Sequence, residues 1–123
     1  MPSSQTLYCN PSQKDKLILT FGDFSTGEVK QEEMQKPKTE HVLEVINSLV
    51  QDYPLDNIVV VNQAESFTLI RILVTICNTL AYCKKAKLYV LPSALSAPVD
   101  ILAQMREPVE YIIPHYSKAP NIS

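Results

Sequence analysis

The stretch from Asn57 to Leu91 constrains the fold more than any other part of the chain. Asn57-Ile58-Val59-Val60-Val61 is a continuous β-branched run bounded by polar residues. Such a run suits a central strand buried on both faces. A helical segment, 66–83, follows, and then a second apolar strand, Lys87-Leu88-Tyr89-Val90-Leu91. At about 100° per residue, Phe67, Leu69, Ile70, Ile72, Leu73, Val74, Ile76, Cys77, Leu80, Ala81 and Cys83 fill roughly 220° of the helix circumference. Thr68, Arg71, Thr75, Asn78, Thr79 and Tyr82 fill the rest. A helix covering one face of a sheet needs an apolar stripe of only ~100° or slightly more. This helix has enough for two surfaces: either it is sandwiched inside its own domain, for which a 123-residue chain with two or three helices has little cover, or, as expected here, the second surface meets another protein.

Upstream, three segments read as short strands: Gln5 to Cys9, Lys16 to Phe21, and Glu28 to Glu33. Asn10-Pro11-Ser12 and Gly22-Asp23-Phe24-Ser25 supply the turn chemistry between them, which makes an antiparallel meander. Pro37 closes the third strand, and Thr39 is the expected N-cap of a helix with Glu40 in its first turn. Val42, Leu43, Val45, Ile46, Leu49 and Val50 cover an arc of roughly 160° on that helix, which stops near Tyr53-Pro54. After Leu91 the prolines at 92, 98, 108, 114 and 120 punctuate the chain, with a short helix expected from Ala97 to Arg106 and a brief extended segment from Val109 to Ile113. The order β-β-β-α-β-α-β implies a mixed five-stranded α/β sheet with helices packed on it. Residues 1–107 form the expected domain and 108–123 a Pro-rich tail, which could lie back over the sheet edge through Val109, Tyr111, Ile112, Ile113 and Tyr116.

Composition removes several classes of function. A chain of 123 residues with 46% hydrophobic and 20% charged residues is one globular domain of ordinary composition. A net charge of −2 offers no bulk attraction for nucleic acid, and Lys84, Lys85 and Lys87 read as favourable charge at a helix C-terminus. The only two glycines, Gly22 and Gly27, stand beside a strand turn. A phosphate-cradling loop needs several, so a glycine-loop nucleotide site is not expected. Cys9, Cys77 and Cys83 are odd in number and show no CxxC pairing, which argues against a disulfide framework or structural zinc. Met1-Pro2-Ser3-Ser4-Gln5 lacks the basic and apolar regions of a signal peptide, and Ile72 to Ala81 is about half the ~20 residues a bilayer span needs. A cytoplasmic location without membrane contact is expected.

Catalytic constellations are sparse. Cys9 and His41 are the one nucleophile and base worth naming, and nothing in the sequence places them together. A two-metal nuclease on such a sheet needs carboxylates clustered so as to hold two metal ions ~4 Å apart. The first strand has none, and Asp15, Asp23, Asp52 and Asp56 sit in turns. Arg71 reads first as a solvated charge or local salt bridge, and second as a contact for an anion or a partner carboxylate. No metal and no cofactor is expected.

The segment from Ser66 to Ala81 resembles the TsaB (YeaZ) family, whose hallmark is a strand followed by GPGSFTGLRIG and a helix ending in a KGLA-like sequence. Ser66, Phe67, Thr68 and Arg71 stand at the hallmark's S, F, T and R, with Ile72, Leu80 and Ala81 matching further along. Thr39-Glu40-His41-Val42-Leu43 resembles the family's HSExLLP helix start, with Lys38 where the family usually has His. Pro92-Ser93 resembles its "SS" turn, and Pro114-His115-Tyr116-Ser117-Lys118-Ala119-Pro120 its C-terminal PxYLRxP segment. The family's GPG is replaced by Gln63-Ala64-Glu65, two further glycines become Leu69 and Leu73, its IDTS turn survives at best as Asn10-Pro11-Ser12, and most of its second domain is missing.

This resemblance implies an RNase H-like, actin-type ASKHA half-domain. It also implies a noncatalytic scaffold and dimerisation subunit for a TsaD-like enzyme in threonylcarbamoyl-adenosine modification of tRNA, with tRNA reached only through the complex. The alternatives are a fragment of an ATP-dependent ASKHA-fold enzyme and an unrelated homodimeric structural domain. A homodimer or heterodimer is expected through helices 39–52 and 66–83. The expected interface comprises Val45, Ile46 and Leu49 of the first helix, and an outward stripe of Leu69, Ile72, Leu73, Ile76 and Leu80 on the second, because that stripe includes the family's glycine positions.

Overall fold

A computed structural model describes residues 4–51, 54–64 and 67–113. Its elements are β1 (Thr6–Asn10), β2 (Lys16–Asp23), β3 (Glu28–Gln35), α1 (Thr39–Val50), β4 (Asn57–Val61), α2 (Phe67–Lys84), β5 (Lys87–Leu91) and α3 (Pro98–Gln104). They form a five-stranded sheet in the order β3-β2-β1-β4-β5. β1 and β2 pair antiparallel, as do β2 and β3, whereas β4 runs parallel to both β1 and β5.

Alternation along the strands sorts the core into two layers. Leu7 pairs with Phe21 on β2 and Ile58 on β4, and Cys9 pairs with Leu19 and Val60, all pointing to one face. Val42, Ile46, Leu49 and Val50 of α1 and Ile70, Leu73, Val74 and Cys77 of α2 close over that face. The intervening residues Tyr8, Val59, Val61 and Leu91 point to the opposite face, where Phe24, Ile101 and the partly buried Leu95 and Leu102 cover them. Burying each large aliphatic side chain contributes about 1.5–3 kcal/mol relative to exposure. Ile58, Val59, Val60 and Val61 are all fully buried, the pattern of a strand covered on both sides.

The two sheet edges are protected differently. β3 buries only Met34 among its side chains and presents Glu28, Lys30, Glu32 and Glu33 at the surface, with Glu33 paired to Lys16 at 2.8 Å. Charge on an edge strand discourages pairing with another chain. The β5 edge is capped instead by Val109, whose N–H donates to the Leu88 carbonyl at 2.7 Å.

Turn chemistry explains the strand ends. Asn10 Oδ1 accepts from the Ser12 N–H at 3.0 Å, and Asp23 Oδ1 accepts from the Ser25 N–H at 2.9 Å. Both are Asx-type turns. At Gly22 (φ +152°) a Cβ would collide with the Glu28 carbonyl oxygen and lie 2.8 Å from the Val29 Cα, so the close pairing of β2 and β3 there requires glycine. β2 and β3 each run two residues further than expected, to Asp23 and Gln35, because this pairing continues to the turn on one side and past Met34 on the other.

The helix boundaries shift as well. The N-cap of α1 is Lys38, in extended backbone without a side-chain cap, and Thr39 is already helical. Tyr53 and Asp52 lie outside the described residues, and α1 ends at Val50. α2 ends on Lys85 in the left-handed region (φ 55°), with the Ala86 N–H donating to Ala81 O at 3.1 Å, a Schellman-type closure. α3 is shorter than the expected 97–106 segment. It starts with Pro98 in its first turn and ends as Met105 leaves helical backbone.

Candidate protein-docking site

α1 and α2 pack side by side on the sheet, and the seam between them opens outward as a groove of about 590 Å³. Thr39 and Leu43 line it from α1, and Thr68, Arg71, Ile72, Thr75, Ile76, Thr79 and Leu80 from α2. Leu43 is 42% exposed, an uncovered large apolar side chain on the rim of this groove. Ile72 and Leu80 are half-buried, and Ile76 forms the covered floor.

The threonines make the groove more apolar than their names suggest. Thr75 Oγ1 donates to the Arg71 carbonyl at 2.8 Å, and Thr79 Oγ1 donates to the Thr75 carbonyl at 2.9 Å. Tying each hydroxyl back to the helix backbone satisfies it locally. At these two positions the side chain then offers its methyl group to the groove, and Arg71 is the cation among the lining residues.

The expected interface residues divide between this groove and the core. Ile72, Ile76 and Leu80 line the groove. Leu69 and Leu73 do not: they are 5% and 0% exposed and belong to the core under α2, so the outward stripe assigned to them is corrected. Ile46 and Leu49 likewise face the sheet, and Val45 is half-buried against the same core. The reason is rotational, since the sheet takes the Leu69-Leu73 side of α2 and leaves the Ile72-Leu80 side outward. Of the motif residues, Ser66 lies outside the described residues, Phe67 opens α2 with its side chain undescribed, and Thr68 and Arg71 come together at one end of the groove.

Asn78, on the polar side of the α2 wheel, has a specific partner. Its Nδ2 donates to the Ile112 carbonyl at 3.1 Å, and its Oδ1 accepts from the Ile112 N–H at 2.8 Å. Asn62 Nδ2 donates to the Ile113 carbonyl at 2.9 Å. These bonds hold the segment after α3 against α2 and bury Ile112, whereas Tyr111 and Ile113 stay exposed. The 109–113 segment therefore lies back on the domain through Ile112 and not through all of its apolar residues. Tyr116, His115 and the rest of the PxYLRxP-like segment lie outside the described residues.

On the far face, the Tyr8 hydroxyl accepts from the Leu95 N–H at 3.0 Å and donates to the Leu95 carbonyl at 3.3 Å. Burial, only partly offset by the Leu95 hydrogen bond, pushes this phenol above its ordinary range. Cys9 is fully buried in β1 with its Sγ 3.7 Å from that of Cys77, and His41 is on the exposed side of α1. The structure does not assemble these two as a catalytic pair. Among the described residues no group of three His, Cys, Asp or Glu side chains could hold a metal ion, and no helix is long and apolar enough to cross a membrane.

The strand order, with an antiparallel three-stranded half continued by two parallel strands, defines a mixed α/β sheet of RNase H-like fold. Among solved structures it is similar to YeaZ from Pseudomonas aeruginosa, with a TM-score of 0.60 and 15% identity over 72% of this chain and 42% of that one. It is similar to the same extent to an uncharacterized protein described as similar to the peptidase YeaZ from Pseudomonas aeruginosa, with a TM-score of 0.60 and 16% identity over 72% of this chain and 43% of the other. The chain thus spans less than half the length of these structures. No family model matches the sequence, and no curated protein matches it significantly. At such identities the likeness is one of fold, and it agrees with the resemblance to the TsaB (YeaZ) family carried by Phe67, Thr68 and Arg71.

Proposed function

We propose that this chain is a noncatalytic scaffold that docks a TsaD-like enzyme through the α1–α2 groove, and thereby supports threonylcarbamoyl-adenosine modification of tRNA in the cytoplasm. It meets tRNA only through that complex. The observation that carries the reading is the groove itself: Leu43, Ile72 and Leu80 form an uncovered apolar seam on a fold shared with YeaZ. An apolar strip with one cation suits a helical partner face better than a small polar substrate. A second copy of the chain would compete for the same strip, so homodimer and heterodimer are mutually exclusive.

The two alternatives are weaker. An ATP-dependent fragment would need close backbone approach to phosphates, and both glycines are committed to the β2–β3 turn region. An unrelated structural dimer would use the same seam but would ignore a TsaD-like protein. Co-purification of the tagged chain with the TsaD-like protein of the same genome tests the reading. A stoichiometric complex supports it, and a chain that elutes alone or only as a dimer at all ratios overturns it.

A further inference from the structure

Cys9 and Cys77 come from elements 68 residues apart in the chain, and their sulfur atoms lie 3.7 Å from one another with both side chains fully buried. Cys9 sits on the central strand β1 beside Leu19 and Val60. Cys77 lies on the sheet-facing side of α2, one residue beyond Ile76 in the groove floor. We propose that Cys9 and Cys77 form a peroxide-oxidisable dithiol whose disulfide fastens α2 to β1.

The chemistry balances with hydrogen peroxide as oxidant. The sulfur of one cysteine attacks a peroxide oxygen, the O–O bond breaks, and water leaves behind a sulfenic acid. The second thiol then attacks that sulfur, forming the S–S bond as the S–O bond breaks and a second water departs. Two thiols lose two electrons and one peroxide becomes two waters. A disulfide needs its sulfurs at ~2.05 Å, so the pair must close by about 1.7 Å. Side-chain rotation with a small shift of α2 supplies a movement of that size.

The same surroundings make the reduced pair slow to react. The Cys77 thiol alongside, and then burial, push the Cys9 thiol well above the usual range, so little thiolate is present. Peroxide must reach the sulfurs during brief opening of α2 from the sheet. Once a sulfenic acid forms, the neighbouring thiol is already in contact and resolves it. Cys83 is exposed on the same helix and meets dissolved peroxide without any opening of α2.

The test uses the full chain carrying Cys83→Ser, so that no surface thiol confuses the products. Native protein is incubated with hydrogen peroxide well below its melting temperature, then unfolded in an alkylating reagent and weighed. The expected product has lost the mass of two hydrogens, takes up no alkyl group, and yields one peptide pair joining Cys9 to Cys77. Dithiothreitol restores both thiols, circular dichroism is unchanged, and the oxidised form melts several degrees higher. Adding Cys9→Ala abolishes the cross-link. The proposal is overturned if both thiols remain alkylatable, if they end as separate sulfinic acids, or if the cross-link appears only above the melting temperature.

Discussion

The side-chain amide of Asn78 pairs with both backbone groups of Ile112, donating to its carbonyl at 3.1 Å and accepting from its N–H at 2.8 Å. In effect α2 offers one strand-like docking position to the segment that follows α3. Ile112 is buried as a result, and Val109 upstream caps the β5 edge.

Asn78→Ala should therefore destabilise the chain by about 1–3 kcal/mol, because it leaves the N–H and carbonyl of Ile112 without their partner. Deleting residues after Glu107 should cost at least as much, since it also removes the Ile112 side chain from the core and exposes the β5 edge. Thermal unfolding followed by circular dichroism reads both as a loss of several degrees. An unchanged melting temperature on deletion would show that the segment contributes nothing.

Leu73 and Ile72 are neighbours on α2 with opposite roles. Leu73→Ala should cost about 2–5 kcal/mol, the range for emptying a fully buried aliphatic site. Leu73→Glu should fail to fold, whereas Ile72→Glu should fold with little loss of stability because its side chain reaches the groove. Equilibrium urea unfolding of the three variants checks the order.

The assignment of faces to α2 is also where sequence and structure part. β4, β5, both long helices and the mixed α/β class follow from hydrophobic pattern, β1 to β3 from the turns between them, and Asn57 to Val61 and Lys87 to Leu91 keep their expected bounds. A helical wheel gives the width of an apolar arc but not which part of it the sheet takes. That rotation is set by packing against Leu7, Cys9, Ile58 and Val60, which places Leu69 and Leu73 inward. Thr75 and Thr79 read as polar in sequence, yet their hydroxyls are spent on α2's own backbone. Asn78 gave no signal, because its partner is 34 residues away and is a backbone group.

Tyr8 should titrate above the ordinary tyrosine range. Its phenol is raised by burial, so folding favours the neutral form. Its contribution is complete below the unfolded tyrosine pKa of ~10 and is lost as pH rises through the higher folded value. Alkaline titration at the phenolate absorbance should show a delayed component that disappears in Tyr8→Phe. That variant should lose about 1 kcal/mol as the Leu95 backbone loses its partner.

Asp23 gives the opposite pH dependence. Hydrogen bonds from Ser25, above all from its hydroxyl, with backbone bonds from Ser25 and Thr26, hold the carboxyl below its usual range. Its stabilisation is present above the unfolded aspartate pKa of ~3.9 and is lost as pH falls through the lower folded value. Asp23→Asn should therefore melt lower than the parent at neutral pH, and the gap should close on acidification below pH ~4. A gap independent of pH would contradict the assignment.

The most direct test of the docking account is a calorimetric titration of the chain with the TsaD-like protein of the same genome, run beside Leu80→Glu. Leu80 lines the groove and is only half-buried, so a glutamate there should fold and then be trapped uncompensated beneath a partner. The account predicts saturable one-to-one binding by the parent, weakened by well over tenfold in Leu80→Glu, with both chains showing the same circular dichroism. No binding by the parent, or equal affinity for the two chains, would contradict it.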